Sequence, residues 1–246
     1  MLINDITNII FVIDSSGSMD NSEYIKELKG IIEQINSQNE IGIITFNEKG
    51  NIILEMSKMN NKGKEKAKNI LDEIILYGKT NIISGIIKTF ELLDTINNSN
   101  KTKIILITDG GDNISNELIN KLDEYKNINN NFILNVFGIG YNINSKLLKI
   151  IADKYKGIFK YIDKYNNIKA EILNYINNNS IKIAENIELL NKLKELVKND
   201  EITYKLYDKY MNEIEDEKIR VSILNNNYKQ YGIHYILSRI SELEKI

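Results

Sequence analysis

Four runs of consecutive apolar residues limit the possible folds more than any other feature of the chain: IIFVI at 9–13, IGIITF at 41–46, KIILIT at 103–108 and FILNVFGIG at 132–140. Unbroken apolarity, as opposed to alternation, is what a strand needs when both faces of its sheet are covered. Such sheets are mostly parallel, with helices on either side. NIILEM at 51–56 follows the second run closely enough for a hairpin, so it is read as an antiparallel edge strand; GIFKYI at 157–162 is read as the last strand. Between the strands, Ile83, Ile86, Ile87 and Phe90 keep helical spacing, as do Leu147, Leu148 and Ile151. The alternation predicts an α/β fold, a doubly wound and mostly parallel sheet with one antiparallel edge strand. Right-handed crossovers then collect the loops that follow the strands along one edge, where function is expected.

Beyond about residue 166 the strand signals stop. Leu190, Leu193 and Val197 mark one helical face, Tyr207, Tyr210, Met211 and Ile214 a second, and Ile233, Ile236, Leu237 and Ile240 a third. The expected organisation is a sheet domain over 1–178 and an all-helical C-terminal extension over 179–246, divided at NNNS. The apolar stripes of the extension are expected to dock on the sheet domain, since an exposed stripe of that size is unusual.

Composition narrows the chemistry. The 246 residues include no cysteine, which excludes disulfides, thiol catalysis and cysteine zinc sites, and suits a reducing, cytoplasmic setting. A net charge of −2 gives no electrostatic reason to expect nucleic acid or an acidic membrane as partner. No apolar run approaches the roughly 18 residues of a membrane span, and MLINDITN has no signal-peptide character. Proline is absent while Asn, Ile and Lys are abundant, a compositional bias that dilutes Asn as a marker of turns.

Three of the expected edge loops carry small oxygen-bearing residues: DSSGSM at 14–19, YGKTNIISGI at 77–86 and LITDGGDN at 106–113. Folded together, they would bring Asp14, Ser16, Ser18, Thr80 and Asp109 to one place. An oxygen-only donor set selects a hard cation, Mg²⁺ foremost, with Mn²⁺ or Ca²⁺ as alternatives. Each residue also has a plainer role open to it. Asp14 and its serines suit a turn, Thr80 the N-cap of a helix over 81–93, and Asp109 a strand-end Asp-Gly turn. No general base accompanies the group, because the one histidine, His234, lies in the C-terminal extension. No catalytic residue is therefore assigned.

The pattern D-x-S-x-S, then Thr, then Asp-Gly, each after the appropriate element, resembles the metal-ion-dependent adhesion site (MIDAS) of von Willebrand factor type A (vWA) domains. IGIITFN is similar to that family's second strand, GKTNIISGI to its glycine and threonine spacing, and the stretch from VFGIG to FKYI at 136–162 to its closing segment. The resemblance covers roughly residues 6 to 178. It implies that Ser16, Ser18 and Thr80 offer hydroxyls to the ion, that Asp14 and Asp109 hold it directly or through water, and that a protein partner completes the shell with an Asp or Glu. It further implies a non-enzymatic binding module. Gly17 is expected in the tight first loop, where a Cβ could crowd the metal, and Asp20 and Asp112 are expected to add only negative potential.

Two other functions compete. A phosphatase of the haloacid dehalogenase type would use Asp14 as acceptor, but needs a second Asp two positions on, where Ser16 stands. A structural scaffold would use the ion only to hold its loops. In the extension, YGIHYILSRI resembles the helical segment that follows vWA domains in some proteins joined to Hint or ubiquitin-ligase modules.

Overall fold

The structure is a computed structural model that describes residues 8–19, 22–96, 101–110, 131–140, 142–177, 234, 237–242 and 244. Six strands form one sheet: β1 (Asn8–Asp14), β2 (Glu40–Phe46), β3 (Gly50–Lys58), β4 (Thr102–Thr108), β5 (Phe132–Ile139) and β6 (Phe159–Ile162), in the order β3-β2-β1-β4-β5-β6. All neighbours are parallel except β2 and β3. The expected fold and its one antiparallel edge strand are both present, and every apolar run singled out in the sequence is a strand.

Burial explains why these runs read as unbroken. Every residue of β1 and β4 is buried. In β1, Ile10 and Val12 face one core and Ile9, Phe11 and Ile13 face the other. The first core is closed by α3 (Ile82–Asp94) and α4 (Ser145–Lys154), through Ile82, Ile86, Phe90, Leu147, Leu148 and Ile151. Across the sheet, α1 (Ser22–Gln34), α2 (Asn61–Asp72) and α5 (Ile168–Asn177) close the second with Tyr24, Leu28, Ile31, Leu71, Ile168 and Ile172. At roughly 25 cal/mol per Å² of apolar surface removed from water, these two interfaces supply the main drive to fold.

Helix starts are set by asparagine. The side chains of Asn60, Asn81 and Asn144 accept from the backbone N–H groups of Gly63, Ser84 and Leu147 and so cap α2, α3 and α4. The cap of α3 is thus Asn81 and not Thr80, and the helix runs one residue later than expected. Thr80 is left outside the cap, on the loop that leads into it.

The expected domain boundary near 178, Leu190, Leu193, Ile236 and the helical face of Tyr207, Tyr210, Met211 and Ile214 lie outside the described residues. The described part of the C-terminal segment does pack on the sheet domain. Leu237 joins the core beside α4, and Ile240 is buried. His234 is also buried, its Nδ1 2.7 Å from the Ser145 hydroxyl and its ring 5.2 Å from that of Tyr161.

Candidate metal centre

Chain order places β2 and β3 on one side of β1, and β4, β5 and β6 on the other. The winding therefore reverses between β1 and β4, and the space beyond their C-terminal ends is where open α/β sheets place their ligand sites. Asp14 ends β1, and Asp109 directly follows β4.

The first loop is fixed from both sides. Ser15 donates its N–H and its hydroxyl to the Phe46 carbonyl at 2.7 and 3.0 Å, tying the loop to the end of β2. Its own carbonyl accepts from the Tyr77 N–H at 2.9 Å, and the Gly17 N–H donates to the Gly78 carbonyl at 3.1 Å. These last two bonds bring the segment that carries Thr80 against the first loop. Gly78 needs its glycine, since φ is +76° there and a side chain would be strained. Gly17 is a different case. A Cβ built on it would meet the Gly78 carbonyl at 3.6 Å, an ordinary contact with the protein itself.

Asp14 is fully buried, and both its carboxylate oxygens are engaged. Oδ1 accepts from the Ser16 N–H at 2.9 Å and Oδ2 from the Thr108 hydroxyl at 2.5 Å. Thr108 in turn accepts from the Gly110 N–H at 2.9 Å, while Gly110, at φ +65°, turns its carbonyl to the Asn144 N–H at 3.2 Å. Thr108 therefore couples the first loop to the third. It was not singled out from the sequence, where it closes an apolar run; the only signal is its place before Asp-Gly. Tyr24 is a second such residue, donating its hydroxyl to the Asp14 carbonyl at 3.1 Å. Burial raises its pKa, so it stays a neutral donor.

The carboxyls are held in an environment that resists their charge. Burial pushes Asp14 up to about 6, against the hydrogen bonds from Ser16 and Thr108, and Asp109 adds a small like-charge push. Burial also raises Asp109, partly offset by a hydrogen bond from Ser18. Asp109 Oδ1 is buried with no hydrogen-bond partner among the described residues. An orphaned carboxylate oxygen is costly unless something positive faces it.

The hydroxyls of Ser16 and Ser18 lie 3.1 Å apart. Neighbouring ligands of an octahedral Mg²⁺, each at about 2.0–2.1 Å from the ion, are separated by about 3 Å. Among the described residues no three His, Cys, Asp or Glu side chains converge as a metal cluster, so an ion at this edge would depend on hydroxyls. The donors present fit a small hard cation: two spaced hydroxyls, one orphaned carboxylate oxygen and one buried carboxylate. Thr80 lies two residues beyond Gly78 on the adjoining segment. Asp20 and Asp112 lie outside the described residues.

Residues 9–111 match the family model of the von Willebrand factor type A domain. Human inter-alpha-trypsin inhibitor heavy chain H2 is 25% identical over 195 residues, covering 74% of this chain and 20% of its own length. The chain thus spans about a fifth of that relative. Among solved structures, von Willebrand factor type A from Catenulispora acidiphila superposes with a TM-score of 0.61 at 20% identity, over 70% of this chain and 42% of its own. Proximal thread matrix protein 1 from the mussel byssus, described with a zinc-occupied MIDAS motif, has a TM-score of 0.56 at 19% identity, over 70% of this chain and 48% of its own. No enzyme family appears among these matches.

Proposed function

We propose that this chain, which carries a von Willebrand factor type A domain, is a non-enzymatic protein-binding module that captures a partner's acidic residue through a divalent metal ion. Domains of this type are commonly metal-dependent protein binders. The observation that carries the reading here is the buried Oδ1 of Asp109, without a partner among the described residues, beside hydroxyls spaced for one coordination shell.

In this reading Ser16, Ser18 and Thr80 hold the ion by their hydroxyls, and Asp109 by the oxygen that no described residue satisfies. Asp14 acts through water, since both its oxygens are already bonded to Ser16 and Thr108. Mg²⁺ is the favoured ion, with Mn²⁺ and Ca²⁺ as alternatives; the motif of the byssus protein is described with zinc. When bound, the ion supplies a Lewis-acidic position for an external carboxylate. Neutral hydroxyls quench its charge little, so an Asp or Glu of a protein partner is the natural last ligand. Gly17 and Ser18 are exposed, which leaves the first loop open to such a ligand. Ser16 occupies the position where a phosphatase of the rival type needs its acid, and Asp14 is buried beyond reach of a substrate. Absence of cysteine keeps a cytoplasmic setting as the proposed one. Among the described residues no helix is long and apolar enough to cross a membrane.

The test is recovery of a partner in Mg²⁺ and its titration against the wild type and Ser16→Ala. Binding should be lost in EDTA, in the variant, and on removal of one partner carboxylate. Undiminished affinity in EDTA would refute the reading, while ion binding with no metal-dependent partner would favour the scaffold.

A further inference from the structure

The sheet has two edges, and they are protected differently. At β3 the ladder to β2 is broken by register shifts between Ile41 and Ile43 and between Ile43 and Ile44, and Glu55 and Lys58 are exposed. Bulges and charges of this kind discourage the pairing of another strand. β6 has no register shift, and its one charge, Lys160, is half-buried. It pairs in regular register with β5, and Phe159, Tyr161 and Ile162 are buried.

The inner side of β6 is satisfied by β5: the carbonyls of Ile158 and Ile162 accept from Val136 and Gly140 at 2.9 Å each. The N–H groups of Phe159 and Tyr161 point the other way, off the edge of the sheet. Both meet serine hydroxyls from the C-terminal segment. Phe159 donates to Ser241 Oγ at 2.8 Å and Tyr161 to Ser238 Oγ at 3.0 Å, across about eighty positions of sequence. The serines are 0% and 5% exposed, so water does not serve these donors. The match has a geometric basis. Residues three apart on a helix lie about 5–6 Å from each other, near the roughly 6.5 Å between alternate residues of a strand. Lys160 pairs with Glu242, Lys149 with Glu244 at 2.6 Å, and Leu237 enters the core alongside.

We infer that the C-terminal segment is a helical guard over the β6 edge, holding in cis the two backbone donors that would otherwise pair with an extended strand of a second copy of this chain. A second copy is the fitting occupant because it presents the same open edge, and an edge-to-edge pair related by a two-fold axis satisfies both copies at once.

The experiment uses the full chain carrying Ser238→Ala and Ser241→Ala together, with Ser238→Thr and Ser241→Thr as the version that keeps both hydroxyls. Light scattering across a dilution series and amide exchange at Phe159 and Tyr161 are the readouts. The alanine variant should form dimers on concentration and show these amides exchanging faster in the dilute monomer, while the threonine variant behaves as wild type. An alanine variant that stays monomeric throughout overturns the inference. If it fails to fold, wild-type exchange in rising denaturant decides. Opening of Phe159 and Tyr161 together with 237–242, before the rest of the sheet and with dimers appearing, supports the guard. Their opening only at global unfolding overturns it.

Discussion

Replacing Asp14 with Asn is expected to stabilise the metal-free chain at neutral pH while removing its response to divalent ions. The reason is the buried charge. Burial lifts the Asp14 pKa from 3.8 to about 6 in the fold. A carboxyl raised in the folded state favours folding in its protonated form. That contribution is complete below the unfolded pKa near 4 and is lost as pH climbs through about 6. At about 1.4 kcal/mol per unit of pKa, the ionised group costs the metal-free fold about 3 kcal/mol at pH 7.5. Asn has no charge to bury. It keeps an acceptor for the Ser16 N–H but turns an amide toward Thr108, whose hydroxyl now donates to Oδ2. Losing that bond costs about 1 kcal/mol, which leaves a net gain near 2 kcal/mol, or about 4–8 °C in thermal midpoint for a chain of this size.

The assay is thermal melting of wild type and Asp14→Asn in EDTA from pH 4 to pH 8. The variant should be the more stable above pH 6, and its advantage should vanish or reverse near pH 4. In millimolar Mg²⁺ the wild type should overtake it. A variant less stable than wild type in EDTA at pH 7.5, or a difference independent of pH, would refute the reasoning.

Further outcomes follow from the same structure. Mg²⁺ at 100 times its dissociation constant should stabilise the wild type by about 2.7 kcal/mol, and Asp109→Ala should abolish this gain in parallel melts. Leu237→Ala should cost about 2–5 kcal/mol in urea unfolding, as for other buried leucines, because Leu237 lies in the core and not on a free tail; a change within error would show that the segment does not dock. Gly157→Ala should destabilise by about 1–3 kcal/mol or more, since a Cβ there runs into the Leu134 carbonyl. Unaltered denaturant midpoints would contradict that close approach.

The sheet was legible because its central strands are buried on both faces, which writes them as apolar runs with no competing reading. Helices were less so. In α2 only Ala67 and Leu71 are buried, too few to draw a stripe through NKGKEKAKNILD. The caps at Asn60, Asn81 and Asn144 were hidden by the abundance of Asn elsewhere. At the candidate site, Asp14 and Asp109 could be placed on one edge from strand order alone. The Thr108 bond could not, because a threonine ending a strand looks like any β-branched residue until its neighbour across the sheet is known. Ser238 and Ser241 were overlooked for a similar reason: the N–H groups they accept become exposed edge donors only once β6 is the last strand.

Central to this account is that Ser16 and Asp109, and not the neighbouring Ser15, hold a divalent ion. Ser15 spends its hydroxyl on the Phe46 carbonyl and makes the matched control. Titration of Mn²⁺ followed by electron paramagnetic resonance, with Mg²⁺ as competitor, reads the ion directly. The account predicts one ion per chain in the wild type and in Ser15→Ala, displaced by Mg²⁺, with binding lost in Ser16→Ala and Asp109→Ala. Binding unchanged in those two variants, or no bound ion in the wild type, would contradict it.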